Sequence, residues 1–417
     1  MKPMHHKEIM VMHNQQQVAS RRNFIKGFLA GGLGAMTISP RDIAAALLSG
    51  KTPSDVHGWG VEPGQVKVGG NENPLGPSPR AVEAVARHLF SVNRYGGGTS
   101  DLIRAIGQYH AITLPDNDGS DRRSRVQDEM PIMVTAGSSP ILHTMATESM
   151  KDGAEMIIAR PGYTEPALSW TRYRDAKGLD LKIRGIRLDK NYTHDLDLIY
   201  KAINNNTSMV AITNPHNPTS TIVSHGQLKD FVDSVPPHVL ILLDEAYIHF
   251  VRDPKYKDAV HIGLENENVA VARTFSKGYG MAGMRVGYGI MSPKLISRLK
   301  VHMPRFNPMG YLGVVAAEAA IGDTHHIEHS RQMVQDGEDF LAKEFEAMGF
   351  EPIPSHSNFM WVDIKRDATV FSQALRELDV SISDGKRRWS MDQHVRITIG
   401  TRDENEALIW AMQHVLS

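Results

Sequence analysis

From residue 130 onward the chain repeats one pattern: a short continuous apolar run, then a stretch with helical spacing. The runs are Pro131-Ile-Met-Val-Thr135, Glu155-Met-Ile-Ile-Ala159, Met209-Val-Ala-Ile-Thr213 and the segments 239–243, 268–273 and 284–290, with strand-like pieces also at 181–183 and 186–188. Between them, helices are expected at about 139–150, 163–174, 195–204 and 224–234. A strand apolar at nearly every position is buried on both faces, and strands that alternate with helices pair in parallel. The pattern therefore argues for an α/β fold built on a mostly parallel sheet, covered by helices on both sides.

The flanks read differently. Residues 51–66 form an arm, and Ser78-Pro79 caps a helix whose apolar positions are Ala81, Val82, Val85, Ala86 and Leu89. A helix follows at about 100–112, then a polar loop at 115–129. From 293 to about 348 the spacing is helical, broken near Pro304 and Pro308. Residues 350–417 read as a smaller α+β unit, with strands at 359–364 and 394–399 and a helix at 368–377. The expected organisation is a leader (1–50), an arm opening a small domain (51–98), a large domain (99–305) and a C-terminal small domain (306–417).

A net charge of −1 provides no field to attract nucleic acid or anionic membrane. The absence of cysteine excludes disulfides, thiolate metal sites and cysteine nucleophiles. His325-His326-x-x-His329 lacks a carboxylate partner pattern, and no metal is expected. No apolar run reaches the roughly 18–20 residues that span a bilayer.

The leader has its own logic. Ser20-Arg21-Arg22-Asn23-Phe24-Ile25-Lys26 precedes a Gly- and Ala-rich, weakly apolar stretch, and Ala44-Ala45-Ala46 offers a cleavage zone. It looks like a twin-arginine export signal, which implies passage through the twin-arginine translocation machinery to the periplasm.

Chemistry concentrates where apolar runs end. Lys277 stands in Thr274-Phe-Ser276-Lys277-Gly-Tyr-Gly, with Arg285 eight positions on, and Asp244 closes the apolar run 239–243, followed by Glu-Ala-Tyr247. A lysine amine forms a Schiff base with an aldehyde cofactor, and hydroxyls with an arginine hold a phosphate. A buried carboxylate keeps a pyridine nitrogen protonated, so these parts suit pyridoxal phosphate. Asn217, in Asn214-Pro-His-Asn217-Pro, and Tyr247 are candidate donors to the cofactor's phenolate oxygen. Gly137-Ser138-Ser139 opens a helix, whose free N–H groups suit a phosphate. Thr274, Ser276 and Arg285 would complete that cup. Tyr163, after Arg160-Pro-Gly, can stack on a ring, and Tyr95 lies in a Gly loop from which it could reach a phosphate. Arg396 is one charge in the apolar strand Val395-Arg396-Ile-Thr-Ile-Gly-Thr401 and calls for an anion such as a substrate carboxylate.

These segments, with Asn71-Glu-Asn73-Pro-Leu-Gly, Arg94-Tyr95 and Asn214-Pro-x-Asn217-Pro-Thr, resemble the class I/II aminotransferases of pyridoxal-phosphate fold type I, on the histidinol-phosphate aminotransferase branch. The resemblance covers about residues 66–402. It implies a large domain on a seven-stranded-type sheet plus a small α+β domain, and a homodimer with sites at its interface. It implies that an amino donor and a keto-acid acceptor exchange an amino group. Lys277 would be the Schiff-base lysine and proton shuttle, Asp244 the partner of the ring nitrogen, and Asn217 and Tyr247 those of the phenolate. Tyr163 would stack on the ring. Ser138, Ser139, Ser276 and Arg285 would hold the phosphate with the other subunit's Tyr95, and Arg396 and Asn73 would meet the substrate. A decarboxylase or lyase, or a binding protein that has lost catalysis, would use the same scaffold. Two positions depart from the family: Ser220 replaces a glycine, and Val380-Ser-Ile-Ser-Asp384 puts an acid near the place of an expected cation, with Arg387 and Arg388 close by.

Overall fold

A computed structural model describes residues 52–58, 60–94, 98–115, 130–304 and 309–417. The leader with its paired arginines, and Tyr95, lie outside the described residues. In chain order the elements are β1 (Val66–Lys67), α1 (Pro79–His88), α2 (Ser100–Tyr109), β2 (Ile132–Thr135), α3 (Ser139–Glu148), β3 (Glu155–Arg160), α4 (Glu165–Lys177), β4 (Lys182–Arg187), α5 (Leu196–Ala202), β5 (Thr207–Thr213), α6 (His225–Ser234), β6 (Leu240–Asp244), α7 (Val260–Glu265), β7 (Val269–Thr274) and β8 (Gly287–Ile290). They continue as α8 (Pro293–Lys300), α9 (Tyr311–Ile321), α10 (Thr324–Ala347), β9 (Glu351–Pro352), β10 (Phe359–Asp363), α11 (Ala368–Arg376), β11 (Val380–Ser381), β12 (Ser383–Asp384), α12 (Gly385–Trp389), β13 (His394–Thr398) and α13 (Arg402–Leu416).

The large sheet has seven strands in the order β2-β8-β7-β6-β5-β3-β4, and β8 alone runs antiparallel to its neighbours. The alternation of side chains along each strand divides its core in two. Ile132, Val134, Val210, Ile212, Ile241, Leu243, Val269 and Val271 face one way, under α2, α6, α7 and α9. Met133, Met156, Met209, Leu240, Leu242, Ala270 and Ala272 face the other, under α3, α4 and α8. The methionines thus fill the second face, where unbranched side chains follow irregular gaps. The two strand-like pieces expected at 181–188 are one strand, β4. The helix expected from Tyr163 begins at Glu165, which leaves Tyr163 in the preceding loop.

The smaller sheet, β12-β13-β10-β9, is antiparallel, and β1 pairs with β11 in parallel. Its core gathers Val66, Val68, Phe345, Phe359, Val395, Ile397 and Leu408, and reaches across to Tyr247 and Phe250. Ser78 caps α1 by accepting from the Ala81 N–H. Of that helix's apolar stripe, Ala81 is buried, whereas Val82 stays 53% exposed. Helix α9, placed by sequence with the C-terminal unit, contributes Val314, Ala316 and Ala317 to the large-sheet core.

Candidate active site

The carboxyl ends of β5, β6 and β7 place Thr213, Asp244 and Thr274 side by side, where open α/β sheets bind ligands. They line a cavity of about 310 Å³ together with Ser138, Ser139, Tyr163, Asn217, Tyr247, Ser276, Lys277, Arg285 and Arg396. Lys277 follows β7 through a tight turn in which the Thr274 hydroxyl donates to Ser276 Oγ at 2.9 Å. Its Nζ donates to the Gly70 carbonyl at 3.2 Å and lies 5.8 Å from the Tyr247 ring centroid. Burial, and then the charge of Arg396, lower its pKa to about 8. Asp244 is buried, and burial pushes its carboxyl up to about 7 although it accepts from the Ala246 N–H at 3.1 Å. An acid held neutral in this way gains from a cationic N–H partner.

At the amino end of α3, Gly137 has φ +79°, and a Cβ there would stand 2.5 Å from Arg285 Nη2. The missing side chain makes the hollow into which the guanidinium points. Arg285 itself takes φ +54°, an unusual conformation for a side-chain-bearing residue, and donates to Ser276 Oγ at 3.4 Å and Ala282 O at 3.0 Å. Among the described residues it meets no carboxylate. A guanidinium, hydroxyls and a helix N-terminus around one hollow fit a phosphate.

The polar network behind Tyr247 is ordered by its far ends. Arg396 Nη1 donates to Asn217 Oδ1 at 2.7 Å, which turns the Asn217 Nδ2 toward the Tyr247 hydroxyl at 3.2 Å. Thr398 Oγ1 donates to Asn71 Oδ1, which turns the Asn71 Nδ2 toward the same hydroxyl at 3.1 Å. Tyr247 Oη accepts twice, so its own proton is left for the cavity. Asn217 keeps a second N–H.

Arg396, 4% exposed, donates to Asn217 Oδ1, Gly69 O and Ser383 Oγ, all uncharged, and its Nε has no partner. Burial first, and the nearby Arg388 as well, lower its pKa to about 10. A guanidinium buried without a counter-ion is a site prepared for an anion.

One expected contact is corrected. Asn73 does not line the cavity: its Nδ2 donates to Gly278 O and Ser330 Oγ, and its Oδ1 accepts from Leu75 N, so it braces the loop. The cavity wall is made instead by Gly70, Asn71 and Glu72. The acid suspected at 384 also turns away, capping α12 through the Arg387 N–H and accepting from Thr369 Oγ1 at 2.7 Å. Arg388 lines the cavity in its place. Sequence reasoning passed over Asn71, Ala246 and Glu72. The signal for Asn71 was its place in a Gly-rich turn, where asparagine tolerates the φ of +54° it adopts.

The sheet, with a lysine, a buried acid and a phosphate hollow on its carboxyl edge, defines a fold type I pyridoxal-phosphate enzyme. The aminotransferase class I and II family model matches residues 63–412. The chain is 36% identical over 354 residues to a histidinol-phosphate aminotransferase of Akkermansia muciniphila, covering 84% of this chain and 90% of that one. It is 33% identical over 353 residues to the Moorella thermoacetica enzyme of the same name, covering 84% and 86%. The histidinol-phosphate aminotransferase of Sinorhizobium meliloti, solved with pyridoxal-5'-phosphate, superposes with a TM-score of 0.73 at 20% identity, over 92% of this chain and 96% of that one. The chain belongs to the class I and II aminotransferases and is a transaminase that works with pyridoxal phosphate.

Proposed function

We propose that Lys277, Asp244, Tyr247 and Arg396 carry the reaction, on a primary amine whose acid group rests on Arg396. Bound pyridoxal phosphate supplies an aldehyde carbon that takes the amine and a ring that withdraws electrons from the carbon losing its proton. Ser138, Ser139, Thr274, Ser276 and Arg285 hold its phosphate, and Gly137 leaves room for that arginine. Asp244 keeps the ring nitrogen protonated. Tyr247 and Asn217 donate to the phenolate oxygen, and Tyr163 covers the ring. Lys277, whose pKa of about 8 makes a free amine available near neutrality, takes the proton from the substrate carbon and returns it within the same cavity. The observation that carries this reading is the cavity itself, where a lysine lowered to about 8 and a carboxyl raised to about 7 face one hollow.

Lys277→Ala is expected to bind the cofactor without the visible band of the lysine-bound form, and to lose amino transfer by about 10²–10⁴-fold or more. Wild-type protein that shows no such band after cofactor addition would sink the assignment. The acid group is a carboxylate in an amino acid. In histidinol phosphate, the compound after which those relatives are named, it is a phosphate.

Two wider readings accompany it. Leu89, Phe90 and Val92, at 49%, 91% and 53% exposure, stand just before Tyr95, and an apolar run so open supports a homodimer face that brings Tyr95 to the partner's phosphate hollow. Phe90→Asp should yield monomers in sedimentation velocity and weaken cofactor binding; an unchanged dimer refutes this face. The Arg21-Arg22 motif supports export to the periplasm, and a Lys-Lys replacement there should retain the protein inside the cell.

A further inference from the structure

We propose that His249 is the positioning residue that seats Lys277, acting through Gly278. The inference rests on Lys277 as the amine that takes the cofactor.

His249 follows Tyr247 by two residues, in the single turn Ile248–Phe250. It is 8% exposed, and neither of its ring nitrogens has a hydrogen-bond partner among the described residues. Burial, and then the charge of Arg273, lower its pKa to about 3, so the ring is neutral. A buried polar atom left unpaired is destabilising. Hydrogen bonding therefore does not account for this side chain, and its packing does. Gly278, the residue after Lys277, lies against the ring: a Cβ there would stand 3.0 Å from His249 Cγ and 3.1 Å from both Cβ and Nδ1. Tyr279 meets the same ring edge to face, with centroids 5.0 Å apart.

The turn that carries Lys277 is thus held at two points. The Gly278 carbonyl accepts from Asn73 Nδ2 at 3.0 Å, and the Gly278 α-carbon rests on His249. Both contacts lead back to α10 through consecutive residues. Ser330 Oγ accepts from Asn73 Nδ2 at 2.9 Å, and Arg331 Nε donates to the His249 carbonyl at 3.2 Å. The Gly280 N–H closes the turn on the Lys277 carbonyl at 3.0 Å. A long, freely rotating amine reaches one carbon reproducibly only from a fixed backbone, and a misplacement of about 1 Å costs on the order of 10²-fold in rate. His249 supplies shape here, not charge. Its removal frees the Gly278 α-carbon to move, and the amine with it.

The test measures Lys277 in the cofactor-free protein, by competitive acetylation with acetic anhydride across pH and mass spectrometry of the peptide that carries it. The wild-type amine should titrate at about 8. His249→Ala lets the amine drift toward water, and its pKa should rise by about 0.5 or more, a roughly threefold loss of free amine at pH 7. The φ of Gly278 lies outside the left-handed region, so Gly278→Ala strains no backbone. It pushes a methyl group onto the ring and should raise the pKa likewise. In the double variant the methyl group takes the space of the ring, and the value should return toward that of the wild type. His249→Asn keeps Cβ, Cγ and a planar atom where Nδ1 stands, the three atoms that meet Gly278, and should stay within about 0.2 of the wild type. The charges that face the amine, Arg396, Glu72, Arg285 and Asp244, are the same in every variant, so a change reports position. Values unmoved in both single alanine variants, whatever their melting temperatures, overturn the proposal. Additive shifts in the double variant, or His249→Asn behaving like His249→Ala, overturn it as well. With cofactor bound, the pH midpoint of the visible band should move in His249→Ala and stay in place in His249→Asn. A wild type without that band refutes the role of Lys277 instead, and acetylation still decides that of His249.

Discussion

At the scale of single residues, two buried ionisable groups govern how the cofactor-free protein responds to pH. Asp244, raised from 3.8 to about 7, keeps in the fold a proton that the unfolded chain has lost, so stability falls as pH rises between those values. Lys277, lowered from 10.5 to about 8, has lost in the fold a proton that the unfolded chain still holds, so stability rises with pH between those values. Thermal melts of the cofactor-free protein should therefore pass through a trough near pH 7–8, shallower in Asp244→Asn, with stabilisation by added pyridoxal phosphate greatest there. Ser220 offers a separate check. Its φ is +61°, in the left-handed region where glycine is unstrained, and its Oγ donates to the Thr219 carbonyl at 2.6 Å. Ser220→Gly should raise stability by about 1 kcal/mol in urea unfolding, because the strain outweighs that short bond. Lys277, Asp244 and Arg396 were legible in the sequence because a charge at the end of an apolar run, or inside one, is anomalous in itself. The choice between Asn71 and Asn73 was not. It depends on which of two asparagines in a turn-rich loop faces inward, and the backbone of that turn decides it.

Among elements, α3 is the one whose amino end bears on the cofactor. Gly137→Ala would add a Cβ 2.5 Å from Arg285 Nη2, at a φ that alanine tolerates poorly. The expected result is a cofactor Kd raised by roughly tenfold, about 1.4 kcal/mol, with the fold intact by circular dichroism. Most strands were readable from their apolar runs, since a sheet covered on both faces permits little else. Helix α12 was not: five residues, Gly385–Trp389, are too few for a period, and the charged run reads equally as a loop. The pairing of β1 with β11 was also hidden, because Val66 meets Val380 through tertiary packing that no local pattern encodes.

At the scale of the whole molecule, the buried Arg273 ties three segments together. Its Nε and Nη2 donate to Glu245 Oε2 at 3.0 and 2.7 Å, and Nη2 also meets Asp258 Oδ2 at 2.8 Å. Arg273→Met should cost about 3–5 kcal/mol in urea unfolding, because it strands the Glu245 charge, and the paired change Arg273→Met with Glu245→Gln should cost less. The segment from Asp244 to Phe250 begins on the large sheet and ends in the small-sheet core. Just beyond it, Arg252 Nη1 meets Glu338 and Asp339 of α10, each at 2.9 Å. Most of the cofactor's expected contacts lie on the first side of that passage, Tyr247 lies within it, and Asn71, Arg388 and Arg396 lie on the second. Arg252 thus rivets the end of that segment to the long helix α10, outside the cavity lining. Arg252→Ala should loosen that rivet, so that a change away from the cavity is felt in KM more than in the cofactor's Kd.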